Sequence, residues 1–186
     1  MKVINLHQEE KELILQAVKN NRHAQQKIYS KYSPKMLGVC RQYIKDMQQA
    51  EDVLITSFMK VFTSLKNFKH EGSFEGWIRR IIINECISFI RVQKKVTYME
   101  DETFFEESQN ETENKFNAEE VQVLIDGLPE GYKMIFNLYC IEGYKHQEIA
   151  KILGIKEGTS KSQLSHARKM LQENVTKLKK YNYETN

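Results

Sequence analysis

The stretch QEIAKILGIKEGTSKSQLSHARKML, Gln147 to Leu171, decides the fold. Apolar residues recur at helical spacing on either side of Gly154, so the segment reads as helix, tight turn, helix. Ile149, Ala150 and Leu153 of the first helix are placed to meet Leu164, Ala167 and Leu171 of the second, with Ile155 filling the turn. Small Ala150 suits a close helix crossing. From Gly158 to Gln172 there is no acidic residue. Thr159, Lys161, Ser162, Gln163, Ser165, His166 and Arg168 form the expected outward face of donors and small polar groups. A helix that enters the DNA major groove needs donors for base edges and cations for phosphates, and a carboxylate there would be repelled. A solvated basic face is the plainer alternative.

The rest of the chain repeats the helical period. Lys, Glu, Gln, Leu and Ile abound, only Pro34 and Pro129 interrupt, and no strand alternation is sustained. Helices are expected near 8–20, 22–31, 34–45, 48–66, 74–94, 117–126, 130–141, 146–153 and 157–178. The fold class is therefore all-α, with two small helical domains, at 1–96 and 117–186, joined by a flexible acidic linker at 97–116. The net charge is +3, but Tyr98 to Val121 holds nine acids against Lys115, a net of −8 that leaves +11 for the remainder. Basic blocks flanking an acidic connector suit a nucleic-acid binder. Phe104, Phe105 and Phe116 stand out in that connector as docking aromatics.

Two further faces emerge from the first half. In 48–66, Ala50, Val53, Leu54, Ser57, Phe58, Val61, Phe62 and Leu65 make one apolar stripe for the domain core. Asp52, Ile55 and Met59 fall on the opposite side, as a partner surface or beneath another helix. In 74–94, Ile78, Ile81, Ile82, Cys86 and Phe89 make the core face, and Ser73 is placed to cap the helix. Trp77, Arg80, Asn84, Ser88 and Arg91 form a separate stripe. A Trp beside Arg and Asn can stack on an unpaired base, and the loop from Phe68 to Phe74 can cup it between aromatic rings. Trp77 as a core anchor is the other reading.

Cys40, Cys86 and Cys140 are isolated, which predicts buried thiols in a reducing cytoplasm. Cys140 and His146 are too sparse for zinc, so no metal and no cofactor are expected. No nucleophile, base and oxyanion donors cluster, so no catalytic residues, enzyme activity or small-molecule substrate are expected. No apolar run is long enough for membrane insertion.

Leu128-Pro129, Glu142-Gly143, Glu148-Ile149-Ala150, Leu153-Gly154-Ile155, Glu157-Gly158-Thr159, Lys161-Ser162 and Ala167-Arg168 resemble region 4 of the extracytoplasmic-function (ECF) bacterial sigma factors. IYSKYSPKMLGVCRQYI, AEDVLITSFMKVF and GSFEGWIRRIIINECISFIR look like region 2 of the same family. The resemblance implies a protein that directs core RNA polymerase to promoters and promotes −10 melting. It implies that Asp52, Ile55, Thr56 and Met59 bind the β′ clamp helices, with the β flap as a further contact. It implies that Phe68, Ser73, Phe74, Trp77, Arg80, Asn84, Ser88 and Arg91 bind the melted −10 strand. It also implies that Thr159, Lys161, Ser162, Ser165, His166 and Arg168 bind −35 duplex DNA. An anti-sigma factor is a common family partner. Ile55 and Thr56 replace the family's usual Gln-Glu, which exchanges polar for apolar contact. Lys145 and Lys156 replace its Ser, Thr or Pro, which weakens helix capping. A stand-alone helix-turn-helix regulator is the alternative; it would leave the Asp52 face unused.

Overall fold

A computed structural model describes residues 2–93 and 117–184. The acidic linker at 97–116, with Phe104, Phe105 and Phe116, lies outside the described residues. The chain falls into two compact units, Met1–Lys94 and Lys95–Asn186. Among the described residues every regular element is helical.

The first unit contains α1 (Lys2–Val18), α2 (Arg22–Tyr43), α3 (Met47–Ser64), a 3₁₀ turn (Leu65–Asn67) and α4 (Phe74–Gln93). Asn20 turns the chain with φ 61°, and Asn21 then caps α2 by accepting from the Ala24 N–H at 3.1 Å. Asp46 caps α3 through the Gln49 N–H at 2.8 Å. The expected break between 31 and 34 is absent: α2 runs through Pro34. Proline forfeits one helical hydrogen bond there, but Ile28, Tyr32, Met36, Val39 and Cys40 are all buried along the same helix, and their packing holds both halves in line.

The core face of α3 is the expected one except at Phe62, which is half-buried at its margin. Ala50, Val53, Leu54, Ser57, Phe58, Val61 and Leu65 are buried, and Ser57 removes its hydroxyl from competition by donating to the Val53 carbonyl at 2.6 Å. The α4 face is wider than expected. Ile78, Ile82 and Cys86 are buried, but so are Ile83, Ile87 and Ile90, while Ile81 and Phe89 are half-buried. The reason is position: α4 packs against both α2 and α3, so two sides of it leave water.

The second unit contains α5 (Ala118–Asp126), α6 (Glu130–Phe136), a π-helical turn (Asn137–Ile141), α7 (His146–Leu153) and α8 (Glu157–Glu184). Asn117 and Glu120 close a reciprocal capping box on α5. Lys133, 2% exposed, is neutralised by Asp126 at 2.5 Å, which ties the end of α5 to α6. In the π turn the Glu142 N–H reaches back to the Asn137 carbonyl. That wider turn shifts the helical phase, so Cys140 is exposed rather than buried as expected; Cys40 and Cys86 are buried. α7 starts at Lys145, whose ammonium cannot accept a hydrogen bond. Half of a capping box remains, the Glu148 carboxylate accepting from the Lys145 N–H at 2.9 Å. Gly154, φ 69°, ends the helix in the left-handed conformation that glycine adopts without strain. Among the described residues no helix is long and apolar enough to cross a membrane, and no group of three or more His, Cys, Asp or Glu is arranged to hold a metal ion.

Candidate nucleic-acid interface

Three surfaces carry the candidate residues, two on the first unit and one on the second. On α3, Asp52, Ile55, Thr56 and Met59 are all exposed. Ile55 is 53% and Met59 65% exposed. More than half of each of these apolar side chains stays open. Thr56 directs its hydroxyl to the Asp52 carbonyl at 2.9 Å, so it presents its methyl outward beside Ile55.

At the start of α4 the rings converge. Phe68 follows the 3₁₀ turn, and its ring centroid lies 5.4 Å from that of Trp77, 5.1 Å from Phe74 and 4.7 Å from His70. His70 (φ 59°) and Gly72 (φ 92°) bend the intervening loop back on itself. Trp77 is half-buried. Phe74 does not match its expected role. It is 3% exposed, so it cannot offer a face to a base; it lies beneath the cluster because it is the first apolar residue of α4 and turns into the core. Ser73 accepts the Gly76 N–H at 3.0 Å and caps the helix, as its position suggested. Beyond Trp77, Arg80, Asn84, Ser88 and Arg91 lie exposed along one side of α4. The stripe read at i, i+3, i+7, i+11, i+14 is thus one continuous surface of aromatic, amide, hydroxyl and guanidinium groups. His70 lies within the loop from Phe68 to Phe74 that the sequence reading singled out, and its ring joins the cluster.

The face of α8 differs from the expected one. Thr159 (8% exposed), Ser162 (1%) and Gln163 (1%) are buried, whereas Lys161 is exposed and Ser165, His166 and Arg168 are half-buried. α8 packs against α5, α6 and α7, so neighbours cover more of its circumference than a two-helix picture allows. Small hydroxyl and amide side chains fit those contacts; Ser162 satisfies its hydroxyl on the Thr159 carbonyl at 3.2 Å. The remaining outward arc is Lys161, Ser165 and Lys169, one helical turn apart, with Arg168 beside them. Lys169 was omitted from the candidate set although the acid-free run included it.

Around that arc the side chains are held by rings. His166 stacks on Tyr132 (5.7 Å, 10°), and the Arg168 guanidinium lies over Tyr139 at 5.9 Å. His146 stacks on Tyr139 at 4.4 Å and places Nδ1 2.9 Å from Ser160 Oγ. Burial, then the nearby Lys161 ammonium, lowers the His146 pKa, against a smaller opposing pull from Glu157. Lys161 pairs with Glu157 one turn earlier at 2.8 Å, and that hydrogen bond lowers the Glu157 pKa. The arrangement offers cations and hydroxyls to a polyanion.

Comparison with known proteins gives the family. Residues 28–96 match sigma-70 region 2, and residues 118–171 match sigma-70 region 4. The chain is 31% identical over 135 residues to the RNA polymerase sigma factor SigV of Bacillus subtilis, covering 73% of this chain and 81% of that one. It is 26% identical over 166 residues to the ECF RNA polymerase sigma-E factor of Haemophilus influenzae, covering 81% and 87%. In fold it resembles the sigma factor RpoE, solved in complex with the anti-sigma factor NepR from Bartonella quintana. That match has a TM-score of 0.54 and 21% identity, over 81% of this chain and 96% of that one.

Proposed function

The chain belongs to the ECF sigma factors of the sigma-70 family, an alternative sigma factor that directs RNA polymerase, and from that premise we propose how its surfaces divide the work. The α3 face of Asp52, Ile55, Thr56 and Met59 docks on the β′ clamp helices of core polymerase. The α4 surface, from Phe68 and Trp77 through Arg80, Asn84, Ser88 and Arg91, captures unpaired bases of the −10 element. The α8 arc of Lys161, Ser165, Arg168 and Lys169 engages −35 duplex DNA.

The observation that carries this reading is the α4 surface. A half-open indole on a ring cluster, followed by exposed Arg, Asn, Ser and Arg, suits bases and phosphates of a single strand better than a regular duplex. Each extruded base costs a few kcal/mol in lost stacking and pairing. Base–aromatic stacking returns about 1–3 kcal/mol. Stacking offsets much of that cost and contacts to the Arg, Asn and Ser side chains supply the remainder, so binding drives melting and the phosphodiester chemistry stays with the polymerase. Phe74 and Ser73 support the site from below, as a core ring and a helix cap. An anti-sigma protein is a further partner in this reading, by analogy with the solved RpoE complex.

Reconstituted holoenzyme on a cognate promoter tests the division of work. Permanganate reactivity of −10 thymines is expected with the wild type and is lost with Trp77→Ala, while −35 footprints persist. Unchanged reactivity with Trp77→Ala would overturn the −10 assignment.

A further inference from the structure

Beneath the ring cluster lies a residue that the surfaces above do not use. Tyr32, on α2, is 5% exposed and meets Phe74 in a T-shaped contact, with centroids 5.6 Å apart and planes at 81°. Phe74 in turn stacks on Trp77, and its other aromatic neighbour is Phe68. The Tyr32 hydroxyl donates to Glu10 Oε2 on α1. The same carboxylate oxygen takes Lys31 Nζ at 2.7 Å, and Lys31 lies over the Tyr32 ring at 4.9 Å. Ile14 and Ala17, both buried, seat α1 on the rest of the unit. A contiguous line of contacts therefore runs from α1 to the indole: Glu10, Tyr32, Phe74, Trp77.

A phenol is a costly way to fill core volume. Phenylalanine would occupy the same space without a hydroxyl that must find a partner. Here the hydroxyl has one, a carboxylate from another helix whose charge Lys31 offsets. Burial, then the hydrogen bond to Glu10, raises the Tyr32 pKa, so the phenol stays protonated as the donor. Edge-to-face packing is directional, so the tie at the hydroxyl fixes how the Tyr32 ring meets Phe74. A second tie, from Lys35 of α2 to Glu75 in the first turn of α4, holds the same helix start.

We propose that Tyr32, held by Glu10, is a positioning residue for −10 base capture: it sets the height and tilt of Phe74 and, through it, the plane that Trp77 offers to a base. The proposal rests on the −10 reading above. It makes α1 part of the promoter-melting apparatus without contact to DNA.

The test uses full-length protein in holoenzyme and short single-stranded oligonucleotides enriched from a random pool on the wild-type holoenzyme. Tyr32→Leu keeps bulk and removes the ring contact; Tyr32→Phe keeps the ring and removes only the tie; Glu10→Ala removes the tie together with the Lys31 ion pair. Because small displacements of a positioning group are costly, Tyr32→Leu is expected to weaken oligonucleotide binding about tenfold and Glu10→Ala about threefold. Tyr32→Phe should fall no further than Glu10→Ala. Affinity for core polymerase should stay at the wild-type value throughout. Trp77 is the chain's one tryptophan, so its iodide quenching in the free protein should change in step with the oligonucleotide loss. Wild-type oligonucleotide affinity in both Tyr32→Leu and Glu10→Ala would overturn the proposal, as would an equal loss of core affinity, which marks general loosening. If Tyr32→Leu does not fold, Glu10→Ala decides. If Trp77→Ala leaves oligonucleotide binding intact, the −10 reading itself fails, and the role of Tyr32 fails with it.

Discussion

Phe74 and Trp77 stack with centroids 5.8 Å apart and planes 15° from parallel, the first ring buried and the second half-open. Their substitutions should therefore separate. Phe74→Ala opens a cavity in the core and should lower the stability of the first unit by about 3–5 kcal/mol. Trp77→Ala should cost less stability and remove about 1–3 kcal/mol of single-strand binding. Chemical denaturation beside oligonucleotide titration distinguishes them; equal stability losses would contradict the assignment of floor and platform.

The narrowed α8 arc makes a second contrast. Lys161→Ala and Lys169→Ala should each weaken −35 duplex binding and reduce the salt slope of log K by about 1, as loss of one phosphate contact does. Ser162→Leu should act instead through overpacking, at a cost of about 1–3 kcal/mol in stability. Binding isotherms over a salt series, paired with thermal melts, provide the check.

Lys133 and Asp126 should respond unequally to truncation. Asp126→Ala strands a nearly fully buried ammonium, and a loss of about 3–5 kcal/mol is expected. Lys133→Met removes the buried charge and leaves a carboxylate that is 24% exposed, so the loss should be smaller. Denaturant midpoints of the two variants test this order.

His146 supplies a pH dependence. Its folded pKa is lowered from the ordinary 6.5 by burial and then by Lys161. The unfolded chain therefore takes up a proton before the folded chain does. Stability of the second unit is undiminished by this group above about pH 6.5 and falls as pH drops through the window below it. Lys161→Gln removes one cause and should raise the His146 pKa. Imidazole resonances followed by NMR across pH 5 to 8, roughly the range in which histidine titrates, check both statements.

The helix-turn-helix, the all-helical class and the α3 core stripe were legible because each rests on a local period. Positions 50, 53, 54, 57, 58, 61 and 65 face inward whatever partner covers them. What failed to show was how many neighbours a helix has. α4 and α8 are each packed on more than one side, so Ile83, Ile87 and Ile90 joined the core, and Thr159, Ser162 and Gln163 were drawn in with it. Periodicity places residues on a face but does not say how wide the covered arc is. Pro34 misled for the opposite reason, since a local breaker was outweighed by tertiary packing. The Cys140 reading failed because the π turn shifts the helical phase, and that shift has no signature in composition. The Tyr32–Glu10 tie joins residues 22 positions apart on two helices, beyond any local pattern.

The central claim is that this chain works by docking on polymerase through the exposed α3 face. Fluorescently labelled full-length protein titrated into sigma-free bacterial core RNA polymerase tests it most directly, with Asp52→Arg and Ile55→Arg alongside. The account predicts saturable, sub-micromolar binding (a Kd below about 1 μM corresponds to more than about 8 kcal/mol) that both variants abolish while duplex DNA binding survives. Absence of binding to core from the native host, or binding that both arginine variants retain, would contradict it.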